Sequence, residues 1–354
     1  MKQFHRDNHY VPQVYLKQWS SSGQIFVYRL LVPHENVSQW KAHSLRGIAF
    51  HQHLYTYMDG KVETDEFERW LSREFEEPAE EAIRRAVNDE RMSSDHWRTL
   101  VRFAVAQDVR TPASLSAFLN RQRQSLQAVM DASLETSVRT LKAAARAGTA
   151  LPKQSLERSS LFPVDVSITR DPDGAGTIKT TAVVGRKLWL WGVRHHLTST
   201  IDRISYDDWT ILRAPEGITW PTSDKPVMKL RLHSSTSYDF DGGWGVRPCD
   251  VFLPLSPKHL LHKSIGRRRV RRGAVLDIQL ATFIRKLIVE HAHRYVFDTF
   301  KSDIPLIRPR LVSLENVKHE QEAWKNWHRE QSEVESNSRQ NRADSGPSET
   351  QWGG

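Results

Sequence analysis

Five polar side chains of this 354-residue chain have types and settings that could carry chemistry: His9, Glu74, Gln107, Arg110 and Asp224. An imidazole that titrates near neutrality, as at His9, can act as a general base or a ligand. Glu74 follows Leu71 by three residues and Trp70 by four, on the helical face expected to be buried. A carboxylate there needs a partner or a raised pKa. Gln107 follows Phe103 by four, again on an inner face, and Arg110 comes one turn later. An arginine in that setting can fork onto a carboxylate or a phosphate. Asp224 lies just past a strand, in a turn before Pro226, where functional side chains are common. Brought together, Glu74 and Asp224 would hold a hard divalent cation, magnesium or manganese. Arg110 would stabilise phosphate charge and His9 would move a proton, which makes a phosphodiester-cleaving pocket. The competing reading is a buried network that pins the N-terminal segment, with Arg110 paired to Glu74 or Asp224 and His9 bonded to a carbonyl. From the residues alone both readings stay open.

A second functional candidate is Gly266-Arg267-Arg268-Arg269-Val270-Arg271-Arg272-Gly273. Five arginines this close repel one another, so the segment is expected on a surface loop. It is either a phosphate-contacting loop for nucleic acid or a solvated connector. The formal net charge is +9, and it is uneven. Residues 313–354 hold five Lys/Arg against eight Asp/Glu, which leaves 46 basic against 34 acidic residues elsewhere. Such a surplus attracts polyanions or simply solubilises. The histidine pairs His51-x-His53, His195-His196 and His291-x-His293 are weak as metal motifs, since alternation along a strand explains them equally well. Twelve tryptophans are expected mainly in the core, with Trp244, in a glycine-rich loop, the one best placed to stack on a base.

Several classes are excluded. The chain has no phosphate-binding Gly-x-x-x-x-Gly-Lys loop, no Gly-x-Gly-x-x-Gly, no His-Glu-x-x-His and no Gly-x-Ser-x-Gly. The lone Cys249 rules out an intrachain disulfide and a cysteine-based zinc site. No stretch approaches the length of a membrane span, and residues 1–19 lack an apolar signal core, so a cytoplasmic location without a membrane partner is expected.

The elements that must position these residues run in segregated blocks. Gln24 to Val32 and His53 to Met58 read as strands that pair with each other. Helical periodicity follows through Phe67, Leu71, Phe75 and Ile83, then through Leu100, Phe103 and Ala104, and after Pro112 from Leu115 to Gly148. Val164 to Thr169 and Thr177 to Val184 suggest a hairpin about Asp171-Pro172-Asp173-Gly174. Lys187 to Trp191 alternates like a strand, with Trp189 and Trp191 on one face. Trp209 to Leu212 and Ile218 to Thr222 suggest another hairpin, and Val251 to Leu255 with His259 to Ile265 add two strands. An amphipathic helix spans Val275 to Ile288. Beyond about Ser332 the composition predicts disorder, with Trp324 and Trp327 placed to dock back on the body.

The block His9-Tyr10-Val11-Pro12-Gln13-Val14-Tyr15-Leu16 resembles the signature of a mostly bacterial family catalogued as domain of unknown function 4238. Gln107-x-x-Arg110-Thr111-Pro112, Thr222-Ser223-Asp224-x-Pro226, Pro254-Leu255-Ser256-Pro257 and a helix ending in Tyr295-Val296-Phe297 continue the resemblance in order. The chain departs from it at Lys225, where the family often has Asn, and near Arg285, where an Asn is common. The resemblance implies one shared fold over residues 5 to 298 and no settled activity.

The sequence therefore predicts an α+β fold. Small N-terminal strands precede a helical region, 60–150, and a β-rich half, 160–312, closed by an amphipathic helix. Residues 1–312 form the family domain, with a subdivision near 150, and 313–354 form a polar tail. The functional expectation is a basic, nucleic-acid-acting protein, specifically a metal-dependent phosphodiester hydrolase. The alternative is a non-catalytic binding or regulatory module of a bacterial defence or mobile-element locus. Oligomeric state is not readable.

Overall fold

The computed structural model describes residues 4–148, 164–170, 176–234, 237–266, 270–306 and 308–344. The fold is α+β, with every sheet antiparallel. A five-stranded sheet runs in the order Tyr238–Asp239, Met228–Leu232, Cys249–Ser256, His259–Ile265, Thr210–Arg213. Its central strand, Cys249–Ser256, is buried at every residue. Both faces of this sheet are covered, and the strand's alternation shows how. Phe252 joins Leu212, Met228 and Leu260 beneath the helix Ile278–His291, which contributes Ala281, Ile284, Leu287 and Ile288. Val251, Leu253 and Leu255 point the other way, into a larger core shared with the helices Glu77–Val87 and Ser94–Val109. The Ser94–Val109 helix leaves Asp95 and Arg98 exposed near its start and is buried throughout Phe103–Gln107, where it enters the core. It starts with a capping box in which Ser93 Oγ accepts from His96 N, while the His96 ring accepts from Ser93 N.

A four-stranded sheet, ordered Thr222–Ser223, Tyr295–Asp298, Gln24–Arg29, Trp40–Ser44, joins two early strands to two from beyond residue 220. The expected pairing of the first two strand candidates is corrected here. Gln24–Arg29 pairs with Trp40–Ser44 and Tyr295–Asp298, whereas Tyr57–Asp59 turns back on Val62–Thr64. Gly60, at φ +69°, supplies the left-handed residue of that tight turn, and so short a loop closes at little entropic cost. The expected hairpin of 209–212 with 218–222 is likewise not formed. Thr210–Arg213 pairs with His259–Ile265, and Thr222–Ser223 crosses to the other sheet beside Tyr295–Asp298. Residues 187–191 lie in a helix, Arg186–His195, rather than a strand. Leu188, Trp189, Leu190 and Val193 are buried on several sides, and a short apolar run of that kind has no telling period. Tyr295-Val296-Phe297 is a strand that follows the last body helix, which ends at His291.

Val164–Arg170 and Gly176–Ala182 pair as a hairpin, and their expected turn, 171–174, lies outside the described residues. The helix Pro112–Ala147 buries only Leu115 among its described apolar residues and runs along the surface. Residues Leu314–Asp344, read from composition as tail, form a helix that docks through Trp324 and Trp327. Residues 345–354 lie outside the described ones. No described helix is long and apolar enough to cross a membrane.

Candidate functional site: two clefts on either side of one segment

The N-terminal block is tied down from every direction. Asp7–His9 pairs with Phe50–Gln52, and Tyr10 N donates to Ala49 O. Tyr15, Leu16 and Trp19 are fully buried. The Tyr15 hydroxyl lies 2.7 Å from Thr222 Oγ1 and donates to Pro254 O at 2.6 Å, and Trp19 Nε1 donates to Trp220 O at 2.8 Å. Gln107 Nε2 donates to Tyr10 O at 2.7 Å. Arg110, 1% exposed, spends its guanidinium on His9 O at 2.7 Å, on Glu76 Oε1 and on the Tyr55 hydroxyl, which donates in turn to Arg110 O. The segments that carry the sequence resemblance thus meet here. Most of their polar atoms are used to seat residues 9–16.

On one side of this segment lies a polar cleft of about 660 Å³, lined by His9, Gln13, Arg46, Glu68, Glu76 and Glu80 among others. The Glu68 carboxyl is pushed up to about 8, first by burial, with Arg110 pulling it down and Glu76 pushing it up. Its Oε2 is closed to solvent and has no hydrogen-bond partner, while the His9 backbone amide lowers the carboxyl's pKa through a hydrogen bond. The His9 imidazole is held below its ordinary value, mainly by burial, against the pull of Glu76. Its Nε2 lies 3.3 Å from Gln13 Nε2, and its ring packs on Phe50 at 5.6 Å.

On the other side lies a larger cleft of about 840 Å³, with Tyr10, Asp224, His293, Tyr295 and Trp324 in its walls. Asp224 is buried, and its oxygens are taken: Oδ1 accepts from His293 N at 2.9 Å and Oδ2 from Arg294 N at 2.7 Å. Burial raises its carboxyl to about 6, and those backbone donors restrain the rise. The C-terminal helix closes this cleft, through Glu320 on Arg294 at 2.8 Å and Trp324 against His51 at 4.1 Å.

The structure therefore brings together His9, Gln107 and Arg110. It places Asp224 in the opposite cleft and Glu74 on the surface, where it pairs with Arg73 at 2.8 Å. Glu74 turns outward because residues Ser72–Glu76 form a π turn. The wider turn carries the buried face from Leu71 to Phe75, so Glu76 rather than Glu74 meets Arg110. Sequence reasoning missed Glu68 and Glu76. A buried Arg110 demands a carboxylate, and this acid-rich stretch was the place to look. No sequence period marks a π turn.

Of the arginine loop, Arg267, Arg268 and Arg269 lie outside the described residues. Arg271 and Arg272 are exposed, and the Arg272 guanidinium sits 4.5 Å over Trp97. Trp244 is engaged, donating to Asp108 Oδ2 at 2.9 Å. Among the described residues one trio of His, Cys, Asp and Glu side chains closes to metal-ligand spacing, and it lines neither cleft.

No curated protein and no solved structure matches the chain. A family model described as "Protein of unknown function (DUF4238)" matches residues 7–302, from the strand before the signature block to just past the last strand of the four-stranded sheet. With that span covered, the chain belongs to this family.

Proposed function

We propose that the chain is a hydrolytic acid–base enzyme acting in the cleft of His9, Glu68 and Glu76. The observation that carries this reading is the Glu68 carboxyl, driven to about 8 with an unpartnered oxygen, beside the Glu76–Arg110 ion pair. A carboxyl held protonated beside an imidazole held neutral can divide acid and base work between them. In this reading Glu68, protonated at neutral pH, gives a proton to the leaving group. His9, kept neutral by burial, takes one from the attacking water. Arg110 fixes Glu76 and the His9 backbone, and Gln107 fixes Tyr10; both are positioning residues.

The lining sets Asp7, Glu76, Glu77 and Glu80 against Arg6 and Arg46, a balance that favours a neutral or cationic substrate over a polyanion. Glu74 and Asp224, which a magnesium- or manganese-dependent phosphodiesterase would use together, sit apart. Contact with nucleic acid is a second, separable reading. It rests on the net charge and on the exposed Arg271 and Arg272 of the arginine loop.

The test is hydrolysis of nitrophenyl esters, glycosides and phosphates and of labelled DNA and RNA, with and without magnesium or manganese. Glu68→Gln and His9→Ala are each expected to lower turnover by about 10²-fold or more. Turnover unaffected by Glu68→Gln, or none on any substrate, removes the acid–base reading. Binding of nucleic acid without turnover, with a salt dependence flattened by neutralising Arg271 and Arg272, supports the second reading alone.

A further inference from the structure

The C-terminal helix Leu314–Asp344 lies outside the family-matched residues and carries a histidine, His328, that neither cleft uses. His328 meets His53, four residues before the Tyr57–Thr64 hairpin, and Glu63, in its second strand. The two imidazole rings stack with centroids 3.7 Å apart. Glu63 Oε1 lies 2.9 Å from His53 Nδ1 and 3.1 Å from His328 Nε2. Oε1 is shut off from solvent, and the two nitrogens beside it are its ion-pair partners whenever the imidazoles are protonated. The three ligand atoms lie within 4.8 Å of one another, and an ion among them requires the stacked rings to swing apart so that both in-plane lone pairs meet it. Donors on a tetrahedral ion with bonds of about 2.0 Å stand about 3.3 Å apart, close to the 2.9 and 3.1 Å from Glu63 Oε1 to the two nitrogens.

We propose that His53, Glu63 and His328 form a site for a zinc-class divalent cation that clasps the C-terminal helix to the hairpin. Two imidazole nitrogens and one carboxylate oxygen suit zinc, and they do not suit magnesium or calcium, which take oxygen. Three protein ligands leave a fourth position for water. The surroundings can accommodate the ion. Arg186, wholly buried, donates to Glu335 at 3.0 and 2.8 Å, to Ser332, to His53 O and to His328 Nδ1 at 3.1 Å. A cation on Nε2 places the ring proton on Nδ1. Arg186 then gives up that one contact and keeps the others, its charge already met by Glu335. The Thr56 hydroxyl, 3.1 Å from His53 Nδ1, is the contact the ion displaces. The spacing is non-local: the hairpin and the residues leading into it supply two ligands, and a helix more than 260 residues later supplies the third. That is why the His-x-His pairs in the sequence gave no sign of it.

The experiment uses the untagged, metal-stripped full chain and zinc alone, with calorimetric titration and thermal melting. One tight equivalent is expected, with a raised melting temperature and slower protease cleavage after residue 302. His328→Ala and Glu63→Gln are each expected to weaken that equivalent by at least about 100-fold while leaving the zinc-free melt near that of the parent. Cobalt in place of zinc is expected to give the intense visible absorption of a low-coordinate site in the parent and not in His328→Ala. A parent chain that takes up no stoichiometric zinc overturns the proposal. So does a His328→Ala chain that binds zinc as the parent does, since the uptake then belongs to other histidines. None of these readouts depends on hydrolysis in the His9 cleft.

Discussion

The two clefts each contain a buried carboxyl with a raised pKa, and the two carboxyls are satisfied in opposite ways. Asp224 has a backbone amide on each oxygen, so it acts as a clamp on the turn that leads into the last strand. Glu68 has an oxygen that nothing in the fold engages. Burial raises both, to about 6 and about 8, so the shift alone does not separate a structural acid from a working one. Hydrogen-bond satisfaction does separate them, because an unmet buried acceptor costs stability that a fold retains only with some other return.

The largest expected effect tests the wall between the clefts. Arg110→Ala leaves Glu76 and the His9 carbonyl without their shared donor, and about 3–5 kcal/mol of unfolding free energy should be lost, read by denaturant melts. A loss under 1 kcal/mol would mean that the segment is held without it.

The next effect sets the two acids directly against each other. Asp224→Ala strands the His293 and Arg294 amides and should cost about 2–4 kcal/mol, with little change in the intrinsic rate of the enzyme that remains folded. Glu68→Gln should behave in the reverse way. Below its ordinary value of 4.5 both folded and unfolded chains hold the Glu68 proton. Between 4.5 and about 8 the unfolded chain has released it and the folded chain has not, so the parent loses stability as pH rises through that window. The glutamine variant escapes that loss. It should match the parent at pH 4 and exceed it by about 2–4 kcal/mol at pH 8.5, with turnover gone. Equal melts at both pH values would show that Glu68 is not held protonated. The smallest effect is at Glu74→Ala, an exposed carboxylate beside Arg73, where a change within about 0.5 kcal/mol is expected in the same melts.

Much of this comparison was legible in the sequence. The α+β order, the helical faces and the inward setting of Gln107 and Arg110 all follow from periodicity, because those helices are regular. What escaped did so for local physical reasons. The π turn at 72–76 moved the carboxylate facing Arg110 by two positions, a shift that no 3.6-residue pattern registers. The 187–191 segment is buried on more than one side, which erases the difference between strand and helix. Asp224 was recognised as special from its turn, but its two amide donors come from residues 69 and 70 positions later, a pairing only the sheet can specify. The docking of Trp324 and Trp327 was legible, but beyond about Ser332 the helix runs on to Asp344 because Glu335 meets the buried Arg186, a partner 149 residues away that composition does not reveal.

The anchoring of Tyr15 and Trp19 has a consequence for biosynthesis. Their partners at Trp220, Thr222 and Pro254 lie 201, 207 and 239 residues downstream. At roughly 5–20 residues per second, a ribosome needs about 10–40 s or more to deliver them. Throughout that interval two large aromatic side chains lack the partners that seat them in the finished fold. Residues 15–19 are thus seated only once the chain to residue 254 exists.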